Sequence, residues 1–201
     1  MKNKGCLIAV AALVLVVVLA GGWLVGRYNK MVDLRSGEQG YEKVWADVEA
    51  LYQRRSDLIP NLVSTVKGYA DFEQKTLTDV IEARSKATQT TIDPTELTPA
   101  AMQKFQAAQG ELSSALSRLM VVVERYPELK ANQNFLELQS QLEGTENRIA
   151  VARQRFNQAA SAYNAYILKF PSNLIAGMFG FEKAALFQAE AGAEKAPKVE
   201  F

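Results

Sequence analysis

The chain has 201 residues, 48% of them hydrophobic, and its 23 Lys and Arg residues nearly balance its 22 Asp and Glu residues. This length supports one domain of ordinary size beside a membrane segment, and the balanced charge argues against a dedicated nucleic-acid binder. The sequence contains no histidine and one cysteine, Cys6, which removes Ser-His-Asp and Cys-His nucleophile systems, the usual zinc sites and intrachain disulfides. We therefore expect neither a metal nor a cofactor.

The N-terminal segment from Cys6 to Gly26 carries no charged residue, and about 20 apolar residues are enough for a helix to cross a bilayer. Lys2 and Lys4 precede it, which favours a cytoplasmic N-terminus. We expect residues 1–27 to form a single-pass membrane anchor that places the following domain outside the cytoplasm. The alternative is a cleaved signal peptide, because residues 20–22 are small enough for signal peptidase.

The first bundle helix is predicted from Tyr41 to about Ser56, where apolar residues recur at three- and four-residue intervals. Gly37 and Gly40 lower helix propensity just before it, which indicates a hinge after the anchor. The stretch Ser56-Asp57-Leu58-Ile59-Pro60 combines capping residues with a proline. We therefore predict that the first helix stops there and a second one begins.

Three further helices follow the same apolar periodicity. The second is predicted to end near Ala87, the third runs from Pro99 to Tyr126, and the fourth runs from Asn132 or Asn134 to Phe170. Short turns between amphipathic helices predict an all-α, antiparallel four-helix bundle over residues 28–187. The remaining residues, 188–201, are small, polar and charged, so a disordered tail is predicted there.

Several segments, taken together, resemble the LemA family. They are YNKMVDLR at 28–35, RRSDLIPNLVSTVKGYADFE at 54–73, Ala83-Arg84, RYPELKANQNFLELQSQLEGTENRIAVARQRFN at 125–157 and FPSNLIAGMFGF at 170–181. Phe72 departs from the pattern, because the family often has histidine there. The resemblance implies a bacterial, membrane-anchored four-helix bundle without established catalytic residues. Family members look like partners of membrane-associated proteases or envelope proteins.

The sequence and the resemblance together favour a non-catalytic scaffold or adaptor in the bacterial membrane. Its expected partners are the lipid bilayer and an unidentified membrane or envelope protein, and self-association of the domain is a further expectation. Two alternatives stay open, a hydrolase that works without histidine and a small-ligand sensor. Either one needs a pocket in the bundle.

Charged residues on or beside the apolar stripes of helices two and four are predicted to form a polar layer in the core. A rise of about 1.5 Å per residue puts Glu73 level with Arg148 and predicts an ion pair between them. The expected role is to fix the register of the helices, and the alternative is a carboxylate site for a ligand or metal. The predicted layer contains Glu73, Arg84, Glu146, Arg148 and Arg153.

The turn between the first two predicted helices and the turn between the last two are predicted to meet at the membrane-distal tip, about 25–40 Å beyond the anchor. There they are expected to form a docking surface rich in arginine. The alternative is that the arginines cap helix carbonyls and merely stabilise the turns. The residues of the predicted docking tip are Arg54, Arg55, Asp57, Arg125, Tyr126 and Lys130.

The segment after the fourth helix returns to the membrane end of an antiparallel bundle and is a candidate for contact with the lipid interface. The favoured alternative is that this segment folds back and closes the open end of the bundle. Its apolar residues are Leu174, Ile175, Met178, Phe179 and Phe181.

Overall fold

The computed structural model describes residues 2–68 and 73–188, with side chains from Leu7 onward within those ranges. In these residues the regular structure is helical, as the sequence predicts. The predicted disordered tail lies outside the described residues, except for Gln188.

The N-terminal helix α1 (Lys2–Ser36) contains the candidate membrane anchor. Within the described residues it provides the one stretch long and apolar enough to cross a membrane, with a mean hydropathy of 2.8 over 18 residues. Its large hydrophobic side chains are exposed from Leu7 to Val25, whereas Met31 is fully buried in the bundle. The boundary predicted between residues 27 and 28 therefore falls inside one helix.

Four long helices follow α1 and pack as an antiparallel bundle, which confirms the predicted fold class. They are α2 (Tyr41–Lys67), α3 (Gln74–Gln89), α4 (Pro99–Val123) and α6 (Gln133–Leu168). Shorter elements are a 3-10 helix (Pro94–Glu96), α5 (Pro127–Lys130) and α7 (Ser172–Phe179). The chain leaves helical geometry between Ser36 and Tyr41, at the predicted hinge.

The starts of α4 and α6 follow from capping chemistry in the sequence. Thr98 Oγ1 accepts a hydrogen bond from the Ala101 N–H at 3.2 Å, and Pro99 occupies the first turn, where its missing N–H costs nothing. Asn132 Oδ1 accepts from the Phe135 N–H at 3.2 Å in the same way. Both predicted helix starts are confirmed.

The predicted break at Ser56–Pro60 is wrong, because α2 continues through Pro60 and ends at Lys67. Proline lacks the N–H that would bond to the Ser56 carbonyl four residues earlier. Arg84 Nε on α3 donates to that carbonyl at 2.8 Å, so a bond between helices replaces the one that Pro60 cannot make. The first long helix of the bundle therefore ends at Lys67, with Gly68 as its C-cap.

The buried residues form two clusters along the bundle. The proximal core, nearer to α1, is rich in large aromatic side chains, and the distal core is mainly aliphatic. Prominent proximal residues are Tyr41, Trp45, Tyr52, Phe105, Phe156, Tyr163 and Phe187. Prominent distal residues are Ile59, Leu62, Val66, Leu77, Val80, Leu112, Leu119, Leu129 and Phe135.

Candidate functional site

A polar layer separates the two cores, and the buried Arg55 is its centre. Arg55 is 2% exposed, and its Nη1 donates to Glu146 Oε2 at 2.8 Å and to Ser113 Oγ at 2.9 Å. Its Nη2 donates to Gln109 Oε1 at 2.6 Å. Gln109 Nε2 in turn donates to the Ala87 carbonyl at 3.3 Å. The layer therefore connects α2, α3, α4 and α6.

The polar layer differs in membership from the predicted one. Glu146 belongs to it, whereas Arg84 bonds to the Ser56 carbonyl beside it. The predicted ion pair between Glu73 and Arg148 is wrong, because Glu73 precedes α3 at the far end of the bundle and Arg148 is exposed. Arg153 lies over the Phe187 ring, with its guanidinium carbon 4.8 Å from the ring centre.

The sequence did not identify Arg55 as the central charge of the layer. It was assigned to the tip because the stretch from Ser56 to Pro60 was interpreted as a break between two helices. A signal was present, since Arg55 continues the buried positions Val48 and Tyr52 at helical spacing. Its guanidinium carbon also lies 5.1 Å from the Tyr52 ring centre, a cation–π arrangement.

The predicted docking tip is partly wrong. Arg54, Arg55 and Asp57 lie within α2, well before its end, so they do not reach the distal turns. Arg125, Tyr126 and Lys130 do lie there, around the turn that joins α4 to α6.

The actual distal tip, defined here as Glu73, Glu124, Arg125 and Lys130, carries exposed charges. Arg125 Nη2 contacts Glu73 Oε2 at 3.2 Å, and Lys130 pairs with Glu124. The side chains of Arg125 and Lys130 are 67% and 53% exposed. Exposed pairs of this kind contribute little stability, so these cations can exchange their carboxylate partners readily.

The reach of the bundle is longer than predicted. Arg27 Nη1 near the end of the apolar segment donates to the Tyr166 hydroxyl at 3.3 Å. From Tyr166 back to the start of α6 at the tip, a rise of 1.5 Å per residue gives about 50 Å. The predicted 25–40 Å was too short, because α2 does not end near Ser56.

Helix α7 lies at the opposite end, beside the candidate anchor. Ile175 is buried, while Leu174, Met178 and Phe179 are 58%, 76% and 54% exposed. The rings of Phe179 and Phe181 make edge-on contacts with Tyr28 of α1, at 5.0 and 5.5 Å between centroids. The segment thus both packs against the bundle and presents an apolar surface next to the apolar part of α1.

The C-terminal segment 181–188, called the strap below, runs along the bundle without regular secondary structure. Asn164 bonds through its side chain to both the N–H and the carbonyl of Ala184, at 2.9 Å each. Asn157 does the same for Phe187, at 2.9 and 3.0 Å. This arrangement was not predicted from the sequence, although the shared helical face of the two asparagines was a signal.

The junction between α1 and α2 contains groups with shifted titration. Burial raises the pKa of the Tyr41 hydroxyl to about 12. Burial likewise raises the pKa of Tyr163, whose ring centre lies 4.9 Å from that of Tyr41. A hydrogen bond of 2.6 Å from Arg35 Nε to Glu42 Oε1 raises the pKa of Arg35. These groups stay neutral or paired at physiological pH and stabilise the junction.

Two cavities beside the bundle helices differ widely in size. The cavity beside Arg55 and Glu146 has a volume of about 60 Å³, below the few hundred Å³ typical of small-molecule sites. A larger groove of about 650 Å³ runs between the start of α4 and the strap. Among residues 2–68 and 73–188, no group of three or more His, Cys, Asp or Glu side chains is placed to hold a metal ion.

Comparison with known proteins shows similarity to two groups of bacterial proteins. The chain is 29% identical over 196 residues to magnetosome protein MamQ 2 of Paramagnetospirillum magneticum, covering 87% of this chain and 70% of that protein. It is 26% identical over 165 residues to protein LemA of Metamycoplasma hominis, covering 82% and 70%. The model of the LemA family matches residues 44–201. The chain therefore belongs to the LemA family.

Proposed function

We propose that the chain is a membrane-anchored, non-catalytic scaffold that presents its distal tip to a protein partner about 50 Å from the anchor. The observation that carries this proposal is the contrast between the apolar segment of α1 and the bundle that follows it. The side chains of the apolar segment of α1 are exposed from Leu7 to Val25, whereas the bundle that follows fills its own interior. Such a chain can hold its distal tip at a fixed distance from a membrane.

The relatives support a non-catalytic role, because their names, a magnetosome protein and a LemA protein, name no reaction. The narrow cavity at the polar layer supports it as well. Arg55 in that layer is already engaged by Glu146, Ser113 and Gln109, so its charge serves the contact between helices.

The distal tip is the proposed docking surface. Planar guanidinium groups bind carboxylates through paired hydrogen bonds, and a partner with an acidic surface fits Arg125 and Lys130. The double variant Arg125→Glu and Lys130→Glu should lose its crosslinked partner in native membranes while staying folded. The double variant Lys104→Glu and Arg118→Glu is the matched control, because it changes the same net charge at exposed positions of α4.

The outcomes of this crosslinking experiment are distinct. Loss of the partner in the tip variant alone supports docking at the tip. Retention of every crosslinked protein by a folded tip variant contradicts it. Loss in both variants indicates that net charge, rather than the tip, drives association.

The anchor requires a separate test. The full-length chain should stay with membranes after carbonate washing, because the segment from Leu7 to Val25 has no ionisable side chain. Release of a shortened soluble form would indicate cleavage as a signal peptide. Labelling of a cysteine placed at the exposed Val121 by a membrane-impermeant reagent on intact cells supports the proposed location of the bundle outside the cytoplasm.

A further inference from the structure

The strap is held by its backbone, in the manner of a bound peptide. Asn157 and Asn164 are seven residues apart on α6, which corresponds to about 10.5 Å of helix. The residues they bracket, Ala184 and Phe187, are three residues apart, and an extended chain covers about 10 Å in that distance. The two spacings match, so each asparagine amide meets an N–H and a carbonyl of the strap.

The strap also fills side-chain subsites. The Phe187 ring lies in the proximal core, stacked on Trp45 at 5.7 Å and edge-on to Phe156 at 5.5 Å. Ala184 and Ala185 are buried, while Leu186 is 37% exposed. The groove that holds the strap, marked by Asn157 and Asn164, therefore accepts an extended segment with two small buried residues, one partly exposed residue and one buried aromatic residue.

The end of the strap is fixed by two further bonds. The Gln188 carbonyl accepts from Gln106 Nε2 at 3.2 Å and from Arg153 Nη2 at 3.4 Å. The Ala185 N–H donates to the Leu97 carbonyl at 3.2 Å. Together these bonds place the strap between α6 and the start of α4.

One side of the strap faces open space. Its residues 185–188 border a separate, open cleft of about 650 Å³ beside Pro99 and Met102. At its other end it joins α7 through Gly180, which has a φ of 72°, a left-handed conformation that glycine adopts without strain. An outward-facing edge and a glycine joint are what the exchange of a terminal segment needs.

We infer that the groove bracketed by Asn157 and Asn164 is a peptide-binding site that also takes the strap of a second copy of this chain. Every copy carries both the groove and the segment that fits it, so two neighbours can exchange straps reciprocally. The strap of the same chain competes at an effective concentration on the order of millimolar. Confinement to one membrane raises the concentration of neighbouring straps and favours exchange. The inference does not depend on docking at the distal tip.

Crosslinking between differently tagged full-length chains tests this inference. All variants carry Cys6→Ala, which leaves only the introduced thiols. One chain carries Asn164→Cys in the groove and the other carries Ala184→Cys in the strap, and the two are reconstituted into the same vesicles under mild oxidation. A doubly tagged disulfide dimer is expected. A single chain with both substitutions should form an internal disulfide, which shows that the pair closes in the folded protein.

Two controls make the result specific. Leu186→Cys on the second chain should give far fewer dimers, because Asn164 bonds to Ala184 and not to Leu186. Adding Phe187→Asp to the groove chain expels its own strap and should increase dimers with the Ala184→Cys chain severalfold. Internal closure without any mixed dimer, or equal dimer yields from positions 184 and 186, would overturn the inference.

Discussion

The two halves of the bundle bury their interiors in different ways. In the distal half, aliphatic side chains from α2, α3, α4 and α6 pack directly together. In the proximal half, α3 has already ended at Gln89, and the loop residues Ile92 and Leu97 and the strap residue Phe187 join the core. The polar layer around Arg55 lies between them.

This difference shows that a region with loops can bury its side chains as fully as a region of four helices: Trp45 and Leu119 are both fully buried. Where α3 is absent, large aromatic side chains fill the proximal core. Trp45, Phe105 and Phe156 meet at 5.2 to 5.4 Å between ring centres. Aromatic pairs at this distance add about 0.5–1.5 kcal/mol each beyond their buried area.

The largest effect is expected from Trp45→Ala in the proximal core. Trp45 is fully buried among three aromatic rings, and such a truncation typically costs about 3–5 kcal/mol. Urea unfolding of the full chain in detergent measures the loss. Leu119→Ala, at an equally buried distal position, is the matched variant for the other half.

Hydrogen exchange then shows whether the two halves are separate units. Trp45→Ala should speed amide exchange around Phe156 and Tyr163 more than around Leu119. Leu119→Ala should show the reverse pattern. Equal acceleration along the whole bundle in both variants would mean that the polar layer does not divide the fold energetically.

Arg55→Ala tests the polar layer itself. It removes the hydrogen bonds to Gln109 and Glu146 and opens a cavity at a buried position, so a loss of about 3 kcal/mol in unfolding free energy is expected. Arg54→Ala, at the exposed neighbour, should change stability by less than about 0.5 kcal/mol. A similar small effect at both positions would show that Arg55 is not a structural centre.

The sequence predicted the elements that depend on local pattern. The apolar N-terminal segment, the helical periodicity, and the helix starts at Pro99 and near Asn132 depend on residues close together in the chain, and the structure contains all of them. Pro60 was misinterpreted because its compensation is not local. The hydrogen bond that permits it comes from Arg84, on another helix.

The polar layer and the strap also depend on contacts between residues that are distant in the chain, so local sequence patterns did not predict them. Glu146 was placed in a polar layer from its position beside an apolar stripe, but its partner depended on the true end of α2. The strap residues have no helical or strand periodicity, so their fixed position could not be predicted locally. Only the packing of α6 brings Asn157 and Asn164 against them.

Alkaline pH should weaken the proximal half through Tyr41. Its pKa of about 12 in the folded chain lies above the value near 10 of an exposed tyrosine, so the unfolded chain releases a proton first. The contribution of Tyr41 to the free energy of unfolding is fully present below about pH 10. It decreases by about 2–3 kcal/mol in total as the pH rises towards 12. Tyr41→Phe should flatten this part of the profile, and an unchanged profile would contradict the assignment.

Asn157→Ala should loosen the strap with a smaller loss of stability. It removes two partly buried hydrogen bonds, worth about 1 kcal/mol each, so a loss of about 1–2 kcal/mol is expected. Limited proteolysis should cleave the strap faster than in the unchanged chain. Asn147→Ala, at an exposed position of the same helix, is the control and should leave the cleavage rate unaltered.

The smallest effect on stability is expected at α7, which lies beside the apolar segment of α1. Met178 is 76% exposed, so Met178→Asp should change unfolding free energy by less than about 0.5 kcal/mol. Its neighbour Phe179 nevertheless packs on Tyr28, just beyond the apolar segment of α1, which puts Met178 at the level where that segment would leave a bilayer. A polarity-sensitive dye on Met178→Cys, in a Cys6→Ala chain in vesicles, should therefore emit as in an apolar medium. The same dye on Val121→Cys, which is 71% exposed near the distal tip, should emit as in water. Matching water-like emission from both positions would place α7 clear of the lipid and leave closure of the bundle end as its only role.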